Sequence, residues 1–114
     1  MPQLLEFSSF QDHRGLLTVI EKTLPFSIQR VYYLYETNTY SRAGHRHLVG
    51  QQALICLHGK STVHVRSHKD FLLDSPRQGL LLEPVDWHSI QFEPGSILLV
   101  LASHPYSPDD YIYD

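Results

Sequence analysis

The 114-residue chain, 42% apolar and 18% charged, holds enough apolar material for one ordinary core and too little for two. A formal net charge of -3, scattered without a basic run, argues against a general nucleic-acid binder, and the longest apolar stretch, Gly95 to Ala102, is too short to cross a bilayer. The single Cys56 excludes an internal disulfide, and Met1 to Glu6 lacks the basic start and long apolar run of a signal peptide, so the expectation is a cytoplasmic protein with no membrane contact.

From the N-terminus, the apolar segment Leu4-Leu5-Glu6-Phe7 reads as a strand able to add to a partner's sheet. Short runs rich in Val, Ile, Leu and Tyr follow, at Leu16 to Glu21, Arg30 to Glu36, Gln52 to His58, Ser61 to Ser67, Gly79 to Leu82, Ser89 to Phe92 and Ser96 to Ala102. Turn signals separate them, among them His13-Arg14-Gly15, Asn38 to Gly44, Asp74 to Gly79 and Glu93-Pro94-Gly95. His58-Gly59-Lys60 reads as a tight hairpin between two of these strands. No stretch has sustained helical periodicity, and only Pro108-Asp109-Asp110-Tyr111 has the composition of a short helix start. Many short strands at this spacing predict a single all-β domain over residues 1–114, a sandwich or barrel.

The chemistry concentrates in Arg42-Ala43-Gly44-His45-Arg46-His47. In an extended segment His45 and His47 project to one side, and Arg46 to the other. Two imidazoles in one cavity suit either a metal site or a metal-free acid/base site. Gln52 (or Gln51), Gly59, Gly79, Pro84 and His88 follow in an order that resembles the two motifs of the cupin superfamily, a jelly-roll barrel. The position of the usual metal-binding glutamate holds Gln52, whose neutral amide is a poorer ligand for a divalent cation.

A closer resemblance runs from Asp12 to Ile112. Asp12 to Glu21, Arg30-Val31-Tyr32-Tyr33, Arg42 to His47, Gln52 to Cys56, Leu73-Asp74-Ser75-Pro76, Trp87-His88, Val100 to Ser103 and Asp110-Tyr111-Ile112 together resemble the dTDP-4-keto-6-deoxyglucose 3,4-ketoisomerases. These are metal-independent cupins that make deoxyamino-sugar precursors. Against the family's usual Arg-Gly-x-His-Ala-His, this chain exchanges Ala43 and Gly44, carries Arg46 for alanine, and has Leu48 where lysine is common.

The resemblance implies an isomerase that moves a ketone from C4 to C3 of a dTDP-linked hexose through an enediol or enediolate, with no cofactor and no metal. His45 and His47 are then the proton-transfer groups, His47 preferred as principal base, with Tyr33 hydrogen-bonding the sugar oxygens. Arg42 is the first candidate for the phosphates, followed by Arg14 and Arg30. Gln52, Trp87 and His88 are candidates to touch sugar or base, and His13 and Gln91 to vary around the sugar. A homodimer with N-terminal strand exchange is the implied assembly. Two other readings compete, a metal-dependent cupin enzyme and a non-catalytic sugar-binding cupin. His58, His64, His68 and His104 read as surface histidines, Cys56 as a small buried residue, and Asp109-Asp110 as a capping or solvated pair.

Overall fold

The computed structural model describes residues 2–114 as two five-stranded antiparallel sheets that share one core, with a two-stranded hairpin projecting from them. The first sheet has the order β1 (Gln3–Glu6), β9 (Gln78–Leu82), β6 (Gln52–His58), β11 (Ile97–Ala102), β4 (Arg30–Leu34). The second has the order β12 (Tyr111–Ile112), β5 (Arg42–His47), β10 (His88–Phe92), β7 (Ser61–Val65), β8 (Phe71–Leu73). The projecting hairpin is β2 (Ser8–Asp12) with β3 (Gly15–Val19). This is the all-β jelly-roll architecture that the cupin resemblance implies.

Period-two patterning builds the sandwich. In β7, Ser61, Val63 and Val65 are buried while His64 is exposed; in β10, His88, Ile90 and Phe92 are buried while Gln91 is exposed. β6 is central and buried on both sides. Leu54 and Cys56 enter the core between the sheets, whereas Ala53 and Ile55 meet Phe7, Leu101, Leu24 and Phe26 in a second cluster on the outer side. Each of Leu54, Leu80 and Leu98 is almost wholly removed from solvent, a burial that stabilises by about 1.5–3 kcal/mol per side chain.

One local expectation changes. His58-Gly59-Lys60 is not a hairpin, because β6 and β7 lie in different sheets and do not pair. The turn instead crosses the sandwich. Gly59, at φ +80°, lies so close to Ser96 that a Cβ there would overlap the Ser96 side chain. The short helix start expected at Pro108 is present as a single 3-10 turn, Pro108–Asp110, that delivers β12 to the edge of β5. The N-terminal strand β1 pairs with β9 of its own chain, Gln3 opposite Leu81 through Glu6 opposite Gln78, and Phe7 is buried in that chain's own outer cluster.

Candidate active site

β5 reaches the interior through a bulge. Against β10, His88 faces His45 but Ser89 faces Ala43, so Gly44 is the extra residue. Ala43 and Gly44 both take left-handed conformations, φ +68° and +72°. The family's glycine falls at the position of Ala43, so here a residue with a side chain occupies a conformation that disfavours Cβ. Beyond the bulge, His45 and His47 both point inward, and Arg46 points out to pair with Asp114 at 3.1 Å.

His45 is the centre of an imidazole cluster. Its ring lies 4.9 Å from that of His47 and 5.1 Å from that of His88, edge to face in each case, with Tyr111 at 4.8 Å. It lines a cavity of about 120 Å³ with Tyr32, Arg42, Gln52 and His88, closed below by aliphatic side chains. Burial, then the neighbouring His88 and His47, push the His45 pKa down to about 4, so the ring is neutral at pH 7 and free to accept a proton. Burial also lowers the pKa of His88, whose Nδ1–H donates to the Asp86 carbonyl at 3.0 Å. That bond leaves His88 Nε2 as the side able to accept.

His47 is more deeply set, 5% exposed, and its Nδ1–H donates to Asp110 Oδ2 at 2.8 Å. Its Nε2 is buried without a partner among the described residues. Burial raises the Asp110 pKa, but hydrogen bonds from the Val49 amide and from His47 outweigh it and hold the carboxyl below its ordinary value. Asp110 is therefore an anion at neutral pH, not a solvated capping residue.

The tyrosine expectation needs correcting. Alternation does put Tyr32 and Tyr33 on opposite faces, but the cavity takes Tyr32; Tyr33 is 61% exposed on the outer face, 5.9 Å from the ring of Tyr35. β4 is an edge strand whose inner face is fixed by Tyr32 and Leu34 packing into the shared core. Tyr32 accepts a 3.3 Å hydrogen bond from Gln52 Nε2. Burial foremost raises the Tyr32 pKa, opposed by the Arg30 guanidinium and the Gln52 bond, so its hydroxyl is a proton donor at neutral pH. Gln52 rather than Gln51 faces the cavity, since Gln51 Nε2 is bound to Glu83 at 2.8 Å.

The remaining candidates divide. Arg42 is exposed at the cavity mouth and makes no ion pair among the described residues. Arg30 packs its guanidinium 4.3 Å from the ring of Tyr32 and 5.1 Å from that of Tyr106, and its Nη1 donates to Tyr111 Oη at 2.8 Å. Trp87 has Arg66 stacked on it at 4.4 Å and its ring edge against Gly44, so it supports the bulge. Gln91 projects from the outer side of β10, because the inward positions there are His88, Ile90 and Phe92. His13 and Arg14 sit in the exposed β2–β3 turn, Arg14 bound to Asp12, and no contact brings them to the cavity of their own chain. Among the described residues no three His, Cys, Asp or Glu side chains are arranged to hold a metal ion. Sequence reasoning missed Tyr32, Asp110 and Tyr111 as site residues, although the latter two open the last motif of the family resemblance, Asp110-Tyr111-Ile112.

The family model described as "FdtA: WxcM-like, C-terminal" matches residues 1–114. The chain belongs to this family. Among its relatives, the TDP-4-oxo-6-deoxy-alpha-D-glucose-3,4-oxoisomerase of Aneurinibacillus thermoaerophilus is 38% identical over 96% of this chain and 84% of its own. A crystal structure of a 3,4-ketoisomerase from Helicobacter canadensis superposes with TM-score 0.95 at 35% identity, covering 99% of this chain and 90% of that one. The sugar 3,4-ketoisomerase QdtA of Thermoanaerobacterium thermosaccharolyticum, solved in complex with TDP, gives 0.91 at 37% identity, covering 99% and 88%. This family member thus has the fold of 3,4-ketoisomerases over almost its whole length.

Proposed function

We propose that this chain is a 3,4-ketoisomerase acting on a TDP-linked 4-keto-6-deoxyhexose, one catalytic domain over residues 1–114. The relatives' named activity supports the reaction, and the complex of one relative with TDP supports the nucleotide. The observation that carries the assignment is a neutral His45 lining a cavity with the Tyr32 hydroxyl and His88. A cavity of this size admits a sugar ring and leaves the nucleotide at the mouth, where Arg42 is placed for the diphosphate.

The reaction breaks C3–H, makes C4–H, and moves the hydroxyl proton from O3 to O4; no electrons enter or leave. His45 takes the C3 proton, which is acidic only because it adjoins the C4 ketone. Tyr32 donates to the developing C4 oxyanion, giving the enediol. Loss of the O3 proton then makes the C3 ketone, and C4 receives a proton in its place. We take His45 rather than His47 as the principal base because His45 lines the cavity whereas His47 is set more deeply behind it. His88 and Gln52 supply further polar contacts to the sugar.

A homodimer is the proposed assembly. Phe10, Leu16 and Leu17 on the projecting hairpin are each about 60% exposed, an apolar surface suited to a second copy. Exchange of β1 between copies would preserve its pairing with β9. It would also be the route by which the His13–Arg14 turn reaches a neighbour's site. No helix of the described residues is long and apolar enough to cross a membrane, and the proposed setting is the cytoplasm.

Incubation with TDP-4-keto-6-deoxyglucose in deuterated buffer tests the function. The isomerase incorporates solvent deuterium into the ring and yields the 3-keto product, with full turnover after chelation. A sugar that returns unlabelled leaves a binding protein; turnover lost on chelation and restored by a metal leaves a metal-dependent enzyme.

A further inference from the structure

The carboxylate behind the imidazole cluster is held as firmly as the imidazoles themselves. The amide of Val49 donates to Asp110 Oδ1 at 2.8 Å, the Gly50 amide donates to the same carboxyl group, and the Asp110 carbonyl accepts from Leu48 N at 2.9 Å. Gly50 has no room for a side chain, since a Cβ there would lie 2.7 Å from Asp110 Oδ2 and 3.5 Å from His47 Nδ1. β12 pairs Tyr111 with His47, so one strand fixes the carboxylate and its imidazole in register. An ionised carboxylate only accepts hydrogen bonds, so the 2.8 Å contact forces the proton onto His47 Nδ1. His47 Nε2, buried and unpartnered, is left as the acceptor beside the cluster.

We propose that Asp110 is a positioning residue for the isomerisation, setting the tautomer of His47 so that its Nε2 accepts rather than donates next to His45. The effect on rate rests on the isomerase reading; the tautomer does not. Asp110→Asn separates them. The two loop amides of Val49 and Gly50 require an acceptor, which turns the amide oxygen toward them and the NH₂ toward His47 Nδ1. The substituted chain therefore favours the opposite tautomer, with Nε2 protonated.

The test is long-range ¹H–¹⁵N correlation of the histidine rings at about pH 8, where free imidazole is neutral, together with steady-state kinetics. The wild type is expected to show His47 protonated on Nδ1 and bare on Nε2. Asp110→Asn is expected to show the reverse, with kcat falling about 10²–10⁴-fold at nearly constant KM, the scale seen when a histidine base is held in the wrong tautomer. A wild-type His47 bare on Nδ1, or an Asn variant that turns over like the wild type, overturns the proposal. If the Asn variant does not fold, the wild-type spectrum decides alone. If the wild type shows no isomerisation, the functional reading fails while the spectra still report who sets the tautomer.

Discussion

The low proton affinity of His45 has a measurable consequence for both stability and rate. Its folded pKa is about 4 against an ordinary 6.5, so below pH 6.5 the unfolded chain takes up a proton that the folded chain refuses. The contribution is complete above pH 6.5 and is lost as pH falls from 6.5 toward 4. Undiminished, a displacement of this size is worth about 3.4 kcal/mol at 1.36 kcal/mol per pH unit. Because the ring is only half buried, solvent screening reduces this to about 1–2 kcal/mol. Urea denaturation at pH 7 and at pH 4.5, on the wild type and on His45→Asn, isolates the contribution, since the other titrating groups are common to both chains. The stability difference between the two proteins should shrink or change in favour of the variant by that amount at the lower pH. In catalysis the same property keeps the base usable in acid: at pH 6 a group of pKa about 4 is roughly 99% neutral, against roughly a quarter for an ordinary histidine. The acid limb of kcat/KM should therefore fall well below pH 6. Equal pH dependence of stability in the two proteins, or an acid limb centred near 6.5, would refute the reasoning.

Tyr32→Phe should lower kcat about 10²–10³-fold and cost about 1 kcal/mol through the lost Gln52 bond, whereas Tyr33→Phe should leave turnover unchanged; parallel kinetics and thermal melts decide. Gly44→Ala should cost about 1–2 kcal/mol by forcing a Cβ into the left-handed conformation, with space beside Trp87 to spare, and denaturant midpoints measure it. Gly50→Ala has no such backbone penalty, so its methyl acts by displacing the Asp110 carboxylate from His47; kcat should fall at least about tenfold while the melting temperature drops by a few degrees.

Strand positions were legible where the pattern is local. Ser61 to Val65 alternates and Gln52 to His58 is a short, mostly apolar run bounded by a glycine on each side, and the inward direction of His45 and His47 follows from their spacing once β5 is extended. What failed depends on residues distant in sequence. Tyr32 and Tyr33 occupy opposite faces in any strand, but which face meets the cavity is decided by the second sheet, contributed by residues beyond Arg42. The turn at Gly59 looks like a hairpin from its own residues. It becomes a crossing because both edges of β6 are taken, by β9 and β11, strands contributed by residues far along the chain. Short strands such as Phe71–Leu73 offer too few residues for a period to register. Asp110 was misjudged for the same reason: its partner His47 is 63 residues away, and nothing in Asp109-Asp110 itself distinguishes the buried carboxylate from the exposed one.

The hydrogen bond from Arg30 to Tyr111 joins residues 81 positions apart. Closing so long a loop is slow relative to forming neighbouring strands. During refolding, then, secondary structure should recover first and enzymatic competence last, because the ring cluster is finished only when the final strand docks beside the fifth. The pocket is the latest event of assembly, and a chain arrested just short of it would be a stable barrel without a working interior.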